Sequence, residues 1–168
     1  MKKHKFVNII TAVALVFLAV ILFFWSRSVE PESISADTFT VTLSVVCDAL
    51  LGNLDLLDSD KHELVPDDGI IFPETVVTVF EGDTAFDMLQ REMRNAGIHM
   101  TFNTLPVYDL TFVTGINNLF EFDAGPMSGW LYTVNGEDIG IGASQYILQP
   151  GDVIIWYFTL DFSEGWDW

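Results

Sequence analysis

The side chains able to do chemistry are few and scattered. Beyond the first 27 residues there are two histidines, His62 and His99, and one cysteine, Cys47. Neither histidine sits in a metal-ligand spacing such as H-E-x-x-H, and no G-x-S-x-G marks a nucleophile elbow. A single cysteine permits no internal disulfide and no cysteine zinc cluster. The carboxylates Asp55, Asp58, Asp60 and Glu63 crowd one segment, but a calcium loop counted from Asp58 has His62 at position five and Glu63 where glycine is needed. Carboxylates are so plentiful that pairs of them carry no information. No catalytic residue and no metal site is assigned, and an enzyme is not expected. The aromatic residues of the last third are more telling. Trp130, Tyr132, Tyr146, Trp156 and Tyr157 lie on or beside expected strands and turns, and Trp and Tyr each join a flat apolar face to a polar handle. Trp130 and Tyr132 share one side of their strand. That side is either core or a binding face, and periodicity does not separate the two. The ligand-binding candidates are Trp130 and Tyr132 for stacking, with Asn135 and Tyr146 as polar handles.

The elements that must position these residues follow from local patterns. Residues 38–47 alternate Thr or Ser with apolar residues, the period of a half-buried strand that buries Cys47. Residues 48–74 read as an acidic, loosely helical stretch with a turn at Pro66-Asp67-Asp68-Gly69. Residues 75–80 form a second strand. Thr84 and Asp87 have the spacing of a capping box for a helix whose apolar face is Phe86, Leu89, Met93 and Ala96, and Gly97 sits where that helix ends. Two or three short strands fit residues 98–122. Trp130 to Val134 is a strand leading into Asn135-Gly136, the pair favoured in a type I′ hairpin turn. Val153 to Thr159 is a near-continuous apolar strand, expected at the centre of a sheet. The sum is an α+β fold, a mixed sheet with one main helix on one face.

Charge and hydropathy divide the chain. Phe6 to Trp25 holds no charged residue, and Lys2, Lys3 and Lys5 precede it. About 20 apolar residues suffice to cross a bilayer. The run is longer than a secretory core of roughly 7–15 residues and lacks a small-x-small cleavage pattern. It is therefore expected to be an uncleaved, single-pass signal anchor. Residues 1–27 comprise the cytoplasmic tip and anchor, 28–37 a linker, and 38–168 an extracytoplasmic domain, placed outside the cell membrane by the positive-inside rule. After Arg27 there are three basic residues against all 24 acidic ones, a formal charge of −21. Such a field repels nucleic acid.

Three stretches in order, Ser128 to Gly136, Gly142 to Tyr146 and Pro150 to Trp156, resemble a bacterial cell-surface domain of unknown function similar to the C-terminal β domain of transcobalamin and intrinsic factor. Glu81 to Leu89 and Gly115 to Asn118 fit the same resemblance, and Thr40 to Cys47 with Leu64 to Gly69 fit a common N-terminal extension. The resemblance implies a β-grasp-like domain and makes cobalamin or another corrinoid a candidate ligand. In the vertebrate carriers such a domain caps cobalamin bound against a separate α-helical domain, which this chain lacks. Members of the family carry cysteines where this sequence has Met93, Ala124, Thr133, Ala143 and Leu160. The alternative function is a protein-interaction or adhesion module of the cell envelope, to which the aromatic tail Phe162, Trp166 and Trp168 would contribute.

Overall fold

In the computed structural model, the structure describes residues 37–108 and 110–163, together with Leu18. The expected anchor, most of the linker, and Trp166 and Trp168 lie outside the described residues. Among the described residues no helix is long and apolar enough to cross a membrane.

Among the described residues seven strands form two sheets. The larger has the order β2-β1-β7-β6, built from β1 (Thr38–Val46), β2 (Ile70–Phe80), β6 (Gly129–Val134) and β7 (Val153–Thr159). The smaller has the order β3-β4-β5, from β3 (Met100–Leu105), β4 (Leu110–Ile116) and β5 (Leu119–Phe120). The expectation of one mixed sheet is corrected here, because β3, β4 and β5, the three strands directly after the helix, form a sheet of their own. In the larger sheet β1 and β7 run parallel, Thr42 opposite Val153 through Val46 opposite Tyr157, and the other pairs are antiparallel. The sheet is therefore mixed, with β7 in its interior as its apolar run requires.

The one main helix, α1 (Ala85–Ala96), is bounded as its sequence dictates. Thr84 accepts from the Asp87 amide at 3.1 Å, and Asp87 accepts from the Thr84 amide at 3.0 Å. Gly97 closes the other end in the left-handed region at φ 70°. Phe86, Met88, Leu89 and Met93 join the alternating residues of β1 and β7 in one core. Ala96, expected on this face, is exposed because the helix ends there. Leu43, Leu89 and Ile154 are wholly buried, each stabilising the fold by roughly 1.5–3 kcal/mol relative to exposure.

Two boundaries differ from expectation. Strand β2 begins at Ile70, five residues early, and runs through Pro73. A proline lacks a ladder donor but is tolerated on an edge strand, and β2 is one. The Asn135-Gly136 turn forms, with φ 55° and 84°, but its hairpin closes on a single bridge between Val134 and Glu137. The chain then runs on through residues 138–152 before entering β7. The acidic segment forms three short 3₁₀ turns between Asp48 and Leu64.

Candidate functional site

The free edge of β6 faces β4 of the smaller sheet across a cleft of about 630 Å³. Leu110 and Phe112 form one wall, Trp130 and Tyr132 the other, and Ile141 closes one side. Phe162 also lines it, held by its amide to the Met127 carbonyl at 2.9 Å and lying edge-on to Phe122.

The segment carrying Ile141 has no regular structure, yet it is firmly placed. The first amides of a helix have no partner within the helix. Here Ala85 donates to the Tyr146 carbonyl at 3.0 Å and Phe86 to the Ala143 carbonyl at 3.1 Å. The Thr111 amide, on β4, donates to the Ser144 hydroxyl at 2.9 Å. The helix start thus pins residues 143–146, which in turn hold β4 at the cleft. Gly142 allows the close approach: a Cβ there would lie 2.1 Å from a methyl of Leu110.

The four sequence candidates separate into two pairs. Trp130 and Tyr132 both line the cleft. Trp130 is nonetheless 7% exposed, its ring edge-on to Phe158 at 5.3 Å, and its indole N–H donates to the Leu119 carbonyl at 2.9 Å. Its polar handle is already committed, so it contributes only a ring edge to the cleft wall. Tyr132 stacks on Trp156 at 5.1 Å, and its hydroxyl donates to the Ile141 carbonyl at 2.8 Å. Burial, and then the neighbouring Tyr146, push its phenol pKa up.

Asn135 and Tyr146 are not among the cleft-lining residues. Both hold Asp152, which is buried. The Asn135 amide donates to Asp152 Oδ1 at 3.0 Å, and the Tyr146 hydroxyl to Oδ2 at 2.9 Å. The Gln149 amide also donates to Oδ2, at 2.8 Å. Asn135 Oδ1 meanwhile accepts from the Val153 amide at 2.9 Å. Burial first, then the hydrogen bond to Asp152 and its charge, push the Tyr146 phenol up to about 12. The arrangement keeps this hydroxyl a donor, and it fastens the turn to the start of β7.

Sequence reasoning passed over Leu110, Phe112, Glu121 and Ile141. Phe112 and Ile141 are each more than two-fifths exposed, and an exposed apolar residue in a short strand carries no sequence mark of its own. Gly140 and Gly142, flanking Ile141, were the available signal.

The cleft has two electrostatic features. Among the described residues Glu121 is its one charged lining residue, and its carboxylate makes no ion pair or side-chain hydrogen bond with any of them. The Trp156 indole N–H, beneath Tyr132, is buried and has no acceptor. The basic residues with ion pairs are committed elsewhere: Lys61 to Asp123, and Arg91 to Asp83 and Glu92. Cys47 is buried away from the cleft, its thiol pushed up to about 12 by burial, then by Asp48 and Asp68. Among the described residues no group of three or more His, Cys, Asp or Glu is arranged to hold a metal ion.

These elements, from the helix cap to the end of β7, coincide with a known domain. Residues 82–159 match the family described as Domain of unknown function (DUF4430). The match takes in α1, the smaller sheet, β6 and β7, and with them both walls of the cleft. It bears out the resemblance carried by the turn and strand motifs. In structure the chain is similar to haptocorrin, solved in complex with Cbi, with a TM-score of 0.55 at 16% identity. The likeness covers 81% of this chain and 28% of haptocorrin, so the chain spans less than a third of haptocorrin's length. A Ruminococcus gnavus ATCC 29149 protein that carries a provisional metal-binding name aligns with a TM-score of 0.42 at 14% identity, over 72% of this chain and 96% of its own. No curated protein matches the sequence. At this identity the likeness to haptocorrin speaks for the fold alone.

Proposed function

We propose that the chain is a membrane-anchored, extracytoplasmic binding module whose cleft beside β6 takes one face of cobalamin or another corrinoid. The observation that carries this reading is the cleft itself, an apolar opening between two sheets with exposed Phe112 and Ile141 at its walls. Its volume of about 630 Å³ lies in the range of small-molecule sites, roughly 300–1,000 Å³. A corrinoid is larger than a drug-sized ligand, so the cleft suits a cap over part of one rather than an enclosure. Haptocorrin's Cbi complex and the shared fold support the ligand class. Because the chain spans only 28% of haptocorrin, a second chain or domain would supply the opposite face. The parallel pairing of β1 with β7, the antiparallel pair β1–β2 and helix α1 support a β-grasp-like description. The charge-free run Phe6 to Trp25, with the lysines before it, supports the anchor and the outward-facing domain. We read the module as a binder and not an enzyme, and its acidity disfavours nucleic acid as a partner.

The test is a titration of the full chain, in nanodiscs of zwitterionic lipid, with cobalamin, followed by tryptophan fluorescence and calorimetry. Saturable binding is expected. Phe112→Ala, a change at an exposed side chain, should weaken it about tenfold, the equivalent of about 1.4 kcal/mol. A flat titration with folded protein would remove the corrinoid from the reading.

A second reading, an envelope protein-interaction module, rests on the tip between β3 and β4. Val107 and Tyr108 stand 88% and 70% exposed there beside Pro106. Apolar side chains so exposed suit an interface. Loss of co-purifying envelope proteins in Val107→Asp, with cobalamin binding intact, would assign that tip a separate partner.

A further inference from the structure

The charge of the cleft, more than its shape, specifies what it admits. Among the described residues Glu121 is the only charged one lining it, and no cation lines it. Its carboxylate has no ion pair among the described residues. The chain beyond Arg27 carries a formal −21, Glu121 included. At physiological ionic strength that wider field is screened beyond about 8 Å. A carboxylate on the cleft wall is screened far less, because a ligand seated there displaces the intervening water and salt. A negatively charged group entering the cleft would meet repulsion with no compensating donor of positive charge. The one buried polar group without a partner, the Trp156 indole N–H beneath Tyr132, is a neutral donor. It suits an uncharged acceptor such as an amide or carbonyl oxygen.

Building on the cleft as a ligand site, we infer that it selects against anions: its occupant is a flat, apolar molecule whose periphery is uncharged or cationic, and Glu121 is the residue that enforces this. For a corrinoid the consequence is concrete. A fully amidated form is accepted, and a form with a side-chain amide hydrolysed to carboxylate is rejected. This adds a specificity residue to the proposed function, and it holds for other flat ligands of the same charge class.

The experiment uses two pairs of probes on the full chain in zwitterionic nanodiscs, with empty nanodiscs subtracted. The first pair is N-phenyl-1-naphthylamine, which is neutral, and 1-anilinonaphthalene-8-sulfonate, which is anionic. The second is cobalamin and a cobalamin monocarboxylate. The neutral dye is expected to bind at least about tenfold tighter than the anionic one, as expected from an unscreened charge within a cleft. Glu121→Gln, at a partly exposed position, should recover most of that difference by improving the anionic dye alone. The advantage removed by Glu121→Gln should persist when salt is raised to about 0.5 M, where the distant field is screened. The corrinoid pair should show the same order. Equal binding of the two dyes, or a Glu121→Gln variant that leaves their ratio unchanged, would overturn the inference, as would a neutral dye that Phe112→Ala does not weaken. Dyes that discriminate while neither corrinoid binds would sustain the charge filter and overturn the corrinoid ligand, so the two readings fail separately.

Discussion

Around Asp152 the polar groups satisfy one another: Asn135, Tyr146 and the Gln149 amide all converge on one buried carboxylate. A short distance along the same strands, the wall made by Phe112, Tyr132 and Ile141 leaves apolar surface open to solvent and an indole N–H without an acceptor. Both regions draw on the same aromatic-rich third of the chain. Polar side chains that satisfy one another hold the fold and have nothing left to offer a ligand. Apolar side chains left uncovered cost stability and are available to one. Tyr132 and Tyr146 illustrate the division. Each donates its hydroxyl inside the protein, but only Tyr132 lines the cleft.

The largest effect is expected at Trp130, a buried member of the cleft wall. Trp130→Ala removes a ring that is mostly core, and it should cost about 3–5 kcal/mol of unfolding free energy in a denaturant titration. If Trp130 served the ligand alone, the loss would stay under about 0.5 kcal/mol, the scale of a surface change. Asp152→Ala strands a hydroxyl, a side-chain amide and a backbone amide, and it should cost roughly 2–4 kcal/mol. Binding to whatever fraction remains folded should be little changed, because Asp152 does not line the cleft.

The lock also answers to pH. The Tyr146 phenol, ordinarily near 10, is raised to about 12 in the folded chain, and the Cys47 thiol from 9 to about 12. A raised pKa means the folded state holds its proton more tightly than the unfolded one. The contribution is complete below the unfolded value and fades as pH climbs to the folded one. Stability measured by denaturant should therefore fall from about pH 9 to about pH 12. Cys47→Ala should flatten the lower part of that decline and Tyr146→Phe the upper part. The smallest effect on stability is expected at the cleft wall. Phe112→Ala should change unfolding free energy by less than about 1 kcal/mol, while it produces the loss of affinity set out above. Equal damage to stability at Phe112 and at Asp152 would erase the distinction between the two regions.

Local chemistry made much of the fold legible. Period-two alternation placed β1, the capping box and Gly97 placed α1, and the apolar run Val153 to Thr159 placed an inner strand. Each of these signals is complete within about a dozen residues. The turn motifs also carried the family resemblance, since left-handed backbone at Asn135 and Gly151 restricts which residues can stand there. Strand β2 extends five residues beyond its sequence signal, and Pro73 within that extension is tolerated because β2 is an edge strand.

The site was less legible. The sequence by itself determined that Trp130 and Tyr132 share a strand face, that the acidic part carries almost no compensating base, and that Asn135 belongs to a turn. Tertiary structure decided what those facts mean. The cleft exists because β4 of one sheet comes to rest against the edge of β6 in the other, held there by Ser144 and by the helix amides donated to Ala143 and Tyr146. Those contacts join residues more than thirty positions apart, as Thr111 and Ser144 are. The same closure turned Asn135 and Tyr146 toward Asp152 and left Phe112, Ile141 and Glu121 to line the opening. Side-chain period reports which residues share a face, but only the meeting of two sheets decides whether that face is covered.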